Sequence, residues 1–185
     1  MIKASGIHVN NELTYPSKLN FRYIFTFFDE KLKEYIDIMF KRMYEEEGVG
    51  LAANQIGIPY QILVLDTGVK KYEAQEEMEE EPIKMALINP KIVKKEGQID
   101  STEGCLSFPG VQITIPRAEK VVVEAKDPEG KDITLDAEGF LAIVLQHEID
   151  HLNGIPFINY LPPVKKRMVL EKYMKSRKKE LAKAK

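Results

Sequence analysis

The sequence contains one cysteine, Cys105, in 185 residues. A single cysteine excludes an internal disulfide, fits a reducing compartment, and leaves the thiol for core packing, metal binding or nucleophilic work. Long apolar runs are missing too. The longest, such as 62–65 and 140–145, fall far short of the roughly 18 residues needed to cross a bilayer. The N-terminus lacks the charged and then apolar plan of a signal peptide, so the cytoplasm is the expected location. Charge of one sign is scarce: 27 Lys plus Arg stand against 29 Asp plus Glu, a net charge of −2. Nothing global therefore attracts a membrane or a nucleic acid, and any such partner must be met by a local patch. Internal repeats and low-complexity segments are absent.

What is present is 44% apolar content, enough for one cooperative domain over 1–185 with a core at about 29–163 and a basic tail at 164–185. After Asp29, an N-cap residue, apolar residues recur at Leu32, Tyr35, Ile36, Met39, Phe40 and Met43, the pattern of an amphipathic helix that ends near Gly48. The stretch 48–57 reads as loop. Strand-like pieces are expected at 60–66, 87–89, 92–94, 111–115, 121–125 and 133–135, with Asp127-Pro128-Glu129-Gly130 as a turn between the last two. The glutamate-dominated 70–84 reads as a solvated excursion. Residues 140–153 have no polar face in their first half and stop before Gly154, which marks a helix buried on most sides. Pro162 and Pro163 introduce a last helix. The fold class is α+β: antiparallel or mixed sheets around a buried central helix, with one helix before and one after.

The buried helix carries Gln146-His147-Glu148-Ile149-Asp150-His151. Histidines at i and i+4 lie one turn apart on one face, so both imidazoles can reach one ion, while Glu148, offset around the helix, is placed to work on water. This is the HExxH arrangement of metal-assisted hydrolysis. Catalytic sites of this kind use three protein ligands and keep a position open. The continuation HExxHxxGxxH is excluded, because Phe157 stands where the third histidine would be. Glu171 is at a usable distance in sequence, but it lies among Arg167, Lys172 and Lys175 in a solvated tail. An isolated cysteine is ordinarily a small buried hydrophobe. The need for a third ligand makes Cys105, in Glu103-Gly104-Cys105-Leu106-Ser107, the preferred candidate.

Together with Gly48-Val49-Gly50-Leu51-Ala52-Ala53-Asn54-Gln55, these strings resemble, in order and spacing, the peptide deformylase family, as does 115–119 between the second and third. The resemblance implies a metal-dependent hydrolase that removes the formyl group from the N-terminal formyl-methionine of new polypeptides. It implies Cys105, His147 and His151 as metal ligands and Glu148 as general base and acid. Gln55 and the backbone N–H of Leu106 would donate to the reacting oxygen, and Val49, Gly50, Phe140, Ile143 and Val144 would meet the methionine side chain. Gly48 and Gly50 are expected where a loop brings its backbone against substrate. By ligand type the site suits zinc, ferrous iron, nickel or cobalt, and the resemblance implies Fe2+ in the cell, with Zn2+, Ni2+ or Co2+ able to occupy a purified sample.

Two other readings compete: an HExxH metallopeptidase, and an inactive ribosome-associated binding module. The tail is basic at Lys165, Lys166, Arg167, Lys172, Lys175, Arg177, Lys178, Lys179, Lys183 and Lys185, with Met168, Val169, Tyr173 and Leu181 placed to lean on the body. By resemblance it would dock on ribosomal RNA. A chain ended after Pro163 is expected to lose that docking and keep hydrolysis of short formyl peptides.

Overall fold

The apolar run at 62–65 becomes the middle of the molecule. In the computed structural model, which describes residues 23–68 and 82–183, this segment is strand β2 (Ile62–Asp66), with all four apolar residues buried. It pairs on one side with β1 (Gly50–Ala52) and on the other with β3 (Lys84–Glu96). After β4 (Ile99–Gly104) and β5 (Gln112–Arg117), the strands β6 (Lys120–Lys126) and β7 (Asp132–Glu138) complete an antiparallel five-stranded sheet of order β1-β2-β3-β6-β7. β4 and β5 form a separate hairpin.

Successive side chains of a strand point to opposite faces, and both faces of β2 are covered. Ile62 and Val64 pack with helix α1 (Glu30–Glu45) through Leu32, Ile36, Met39 and Met43. Leu63 and Leu65 pack with helix α2 (Gly139–Leu152) through Leu141, Ala142, Leu145 and Ile149. A third apolar cluster joins Phe108, Ile113 and Ile115 to Phe157 and Ile158, with Val169, Leu170 and Tyr173 of helix α3 (Pro163–Lys183) against it.

The expected α1 forms as its caps dictate, with the Asp29 carboxylate accepting from the N–H groups of Lys31 and Leu32 at 3.0 and 3.2 Å. The turn before β7 forms likewise, with Gly130 at φ 86° and the Asp127 carboxylate taking the N–H groups of Glu129 and Lys131. Elsewhere the structure corrects the sequence reading. The stretch 48–57 is not all loop: it contains β1 and a 3-10 turn, Ala53–Ile56. The pieces at 87–89 and 92–94 are one strand, β3, interrupted where Asn89 adopts φ 54° before Pro90 and the register shifts. That bulge has its own task, since the Asn89 side chain exchanges two hydrogen bonds with the backbone of Phe25, at 2.8 and 2.9 Å. Strand β4, with few apolar residues, escaped the pattern altogether. Of the acidic excursion, 70–81 lies outside the described residues, whereas Lys84 opens β3 and sits 4.5 Å over the Phe40 ring.

Candidate metal centre and active site

Three elements meet at the rear half of α2. The helix supplies His147 and His151, the turn after β4 supplies Cys105, and β1 with its 3-10 turn supplies Gly50 and Gln55. Cys105 Sγ lies 3.1 Å from His151 Nε2, which lies 3.2 Å from His147 Nε2. All three ligand atoms fall within 4.8 Å of one another, the one such cluster among the described residues. A tetrahedral ion with bonds near 2.0–2.3 Å would hold such atoms about 3.3–3.6 Å apart, so the donor set fits a thiolate- and imidazole-bound divalent metal. Glu171 is not part of it; it faces Arg167 at 3.8 Å, both exposed on α3.

The ring orientation of His147 is set from behind. Its Nδ1 donates to Glu103 Oε2 at 2.8 Å, which leaves the Nε2 lone pair facing the cluster. Glu103 in turn receives a two-pronged contact from Arg117, at 2.7 and 2.9 Å. Arg117 also donates to Asp150, which accepts from the Tyr160 hydroxyl at 2.8 Å, and the Tyr160 ring covers the guanidinium. Glu103, Arg117 and Asp150 are each buried and paired, as burial demands. Burial alone would push the Glu103 carboxyl up, yet Arg117 and His147 hold it down at about 2. Tyr160 moves the other way, to about 12, through burial and the Asp150 charge. For Cys105 burial raises the thiol pKa, but the two imidazoles outweigh it and hold the thiol well below its ordinary value. Burial pushes the Glu148 carboxyl above its ordinary range.

Glu148 is buried, and its Oε2 has no hydrogen-bond partner among the described residues. A buried carboxylate oxygen without a partner is costly in a purely structural role. Gly50 makes room for it, because a Cβ there would stand 2.7 Å from Glu148 Oε1. Gly48 likewise admits the Leu106 side chain, whose Cδ1 would meet its Cβ at 2.7 Å. The two glycines thus serve the packing of the three motifs on one another, rather than leaving room for substrate alone.

Gln55 is held at both ends of its amide: Oε1 accepts from the Ala52 N–H at 2.8 Å and Nε2 donates to Ser107 Oγ at 3.1 Å. Beside it, Asn54 donates to the backbone oxygen of His151 at 2.6 Å, tying this turn to the end of α2. Leu106 follows Cys105 in a turn closed by Phe108 N–H donating to Cys105 O at 2.9 Å. Of the apolar candidates, Val144 is fully committed to the core, Val49 and Phe140 pack half-buried against the same cluster, and Ile143 is half-buried one turn before His147.

Sequence reasoning missed Glu103, Arg117, Asp150 and Tyr160 as a supporting network, and Gln146, which exchanges two 2.9 Å hydrogen bonds with the Ala118 backbone. A signal existed for one of them. Ile113, Ile115 and Arg117 alternate on β5 and all point inward, so period two places an arginine on a buried face, where it needs partners.

Comparison with known proteins agrees with this geometry. The family model described as polypeptide deformylase matches residues 17–167. A peptide deformylase of Aquifex aeolicus is 49% identical over 147 residues, 80% of this chain and 83% of the relative. One from Buchnera aphidicola is 43% identical over 151 residues, 82% of each. Among solved structures, a peptide deformylase from Legionella pneumophila superposes with a TM-score of 0.75 at 40% identity, covering 88% of this chain and 92% of that one. One from Plasmodium falciparum does so with a TM-score of 0.75 at 33% identity, covering 91% and 95%. These are enzymes that take the formyl group from the N-terminal methionine of nascent polypeptides. With the family model spanning most of its length and its three motifs converged on a Cys/His cluster that can hold a metal, the chain belongs to the polypeptide deformylase family.

Proposed function

We propose that deformylation runs on the following division of labour. Cys105, His147 and His151 hold one divalent ion, Fe2+ in the cell, with Zn2+, Ni2+ or Co2+ serving in purified protein. Such an ion supplies Lewis acidity, which makes water more acidic and polarises the formyl oxygen. Glu148 takes the proton of the attacking water at its carboxylate and later returns it to the departing amine, releasing formate. Gln55 Nε2, turned from Ser107, and the Leu106 N–H donate to the oxygen on which negative charge develops. Val49, Gly50, Phe140, Ile143 and Val144 receive the methionine side chain, with Val144 acting mainly through the core it completes. The carrying observation is that Glu148 Oε2 has no hydrogen-bond partner among the described residues and lies beside a cluster of three metal-competent donors. Formate release from formyl-methionyl, acetyl-methionyl and free-amine peptides, with defined metals, tests the reading. Turnover of the formylated peptide alone supports it, and cleavage of an internal peptide bond would make the metallopeptidase the better account.

We further propose a cytoplasmic enzyme with 29–163 as its catalytic body and 164–185 docked on ribosomal RNA. Lys165, Arg167, Lys172, Lys175, Lys178 and Lys179 are exposed along α3, and phosphate attraction predicts binding that weakens steeply with salt through counterion release. Among the described residues no helix is long and apolar enough to cross a membrane. Co-sedimentation with ribosomes at rising salt tests the docking. If a form with α3's exposed lysines exchanged for glutamine co-sediments like the parent at low salt, the helix is not the anchor.

A further inference from the structure

Two side chains from the segment around the 3-10 turn reach the end of α2: Asn54 Nδ2 donates to His151 O at 2.6 Å, and Gln61 Nε2 donates to Leu152 O at 3.3 Å. The last carbonyls of a helix have no partners inside it, so both bonds read first as helix caps. For Asn54 that role is redundant. His151 O also accepts from the Gly154 N–H at 2.9 Å, and is satisfied without the side chain. The bond has a cost at its other end as well. Asn54 is 6% exposed, and because a carbonyl can only accept, the amide nitrogen must be the atom that faces His151 O. Its Oδ1 is then buried with no hydrogen-bond partner among the described residues. A half-satisfied buried amide is a poor device for stability.

What the bond does achieve is a fixed distance. At one end it meets the backbone of His151, whose ring belongs to the Cys/His cluster. At the other it belongs to the residue next to Gln55. The Gln55 amide is oriented within its own turn by the Ala52 N–H, and its Nε2 spends one hydrogen on Ser107 Oγ, which leaves the second for another acceptor. Those contacts aim the amide, and Asn54 sets where the turn that carries it stands against α2.

We propose that Asn54 is a positioning residue for the hydrolysis, holding the Gln55 amide at a set distance from the Cys/His cluster through its bond to His151 O, at some expense to stability. This rests on the reading of Gln55 as a donor to the reacting formyl oxygen. The test uses full-length protein loaded with Co2+, measuring kcat and KM on a formyl-methionyl peptide, the melting temperature, and the thiolate-to-cobalt absorption band. Asn54→Leu, close in shape but apolar, should lower kcat about tenfold with KM unchanged, as when a reacting group is displaced by a fraction of an ångström. It should keep the parental band and melt at or above the parent's temperature, because the unpartnered acceptor is gone. With Gln55 already replaced by alanine, the same change should alter kcat by less than about twofold, since the two residues act as one unit. Gln61→Ala, which removes the neighbouring bond to the end of α2, should keep the parental kcat. Asn54→Ala is read the same way should the leucine form not fold, and failure of both to fold would make the bond a plain cap of α2 and overturn the proposal. Parental kcat in Asn54→Leu, a full tenfold loss in the Gln55→Ala background, an altered cobalt band, or a matching loss in Gln61→Ala would each overturn it too. Parental kcat in Gln55→Ala alone would instead overturn the donor reading of Gln55, and this inference with it.

Discussion

Helices α2 and α3 invert one another's logic. α2 buries ten of its fourteen residues, among them Gln146, Glu148, Asp150 and His151. α3 is half as long again, yet none of its described side chains is fully buried. Rich in Lys, Arg, Glu, Leu and Met, α3 is helical largely by intrinsic propensity, needing only one narrow stripe of contact. α2 has β-branched Ile143, Val144 and Ile149 and buried polar groups, which tertiary structure must support. Apart from Glu148, its polar side chains are tolerable because β4, β5, the β5–β6 connection and the Cys105 turn each bring a partner. The lesson is that a helix able to do chemistry is the one least able to stand alone, so substitutions should separate the two sharply.

The sharpest separation should come at Glu148. Glu148→Ala is expected to cut kcat by roughly 10²–10⁴, the usual worth of a positioned acid–base group, while metal content measured by elemental analysis stays near the parent's. Parental turnover by that variant would break the contrast at once. Next is Arg117, whose removal leaves Glu103 and Asp150 buried without their counter-charge. Arg117→Ala should cost about 3–5 kcal/mol in urea unfolding, as for other broken buried pairs, and a loss below ~1 kcal/mol would mean the network is slack.

The same network gives a pH signature. Glu103 is held near 2 in the folded protein against an ordinary value of 4.5. Its ionised form therefore stabilises the fold above the unfolded value, and this contribution disappears as pH falls from about 4.5 toward 2. The difference corresponds to an upper estimate of about 3 kcal/mol, visible as a slope in unfolding free energy over that window and flattened in Glu103→Gln. An unchanged slope in the variant would assign the acid sensitivity elsewhere.

A smaller effect is expected where only aim is disturbed. Gly50→Ala puts a Cβ 2.7 Å from Glu148 Oε1, and if Glu148 is the proposed base, shifting its carboxylate by a fraction of an ångström should lower kcat roughly tenfold or more with little change in KM. Equal kcat values would show that Glu148 moves aside freely. At the far end of the scale, Arg167→Ala on α3 removes an exposed 3.8 Å pair with Glu171 and should change stability by less than about 0.5 kcal/mol.

Local patterns carried a definite share of this protein. The three-four spacing of α1, its Asp29 cap, the turn at 127–130 and the i, i+4 histidines of α2 each follow from backbone geometry over a few residues, and each is found in the structure. The need for a third donor beside the two histidines singled out Cys105, and the likeness of three short strings to one family agreed with it. Tertiary structure decided the rest, through contacts between residues far apart in sequence. Whether Glu103 would meet His147, 44 residues on, or Asn54 the backbone of His151, 97 residues on, depends on how sheet, hairpin and helix stack, which no local period encodes. Gly48 and Gly50 were visible as glycines, but only the approach of Leu106 and Glu148 shows what their missing side chains make room for. Helical spacing placed Tyr173 to lean on the body, but that its ring meets Phe108, 65 residues earlier in the chain, is decided by the fold alone.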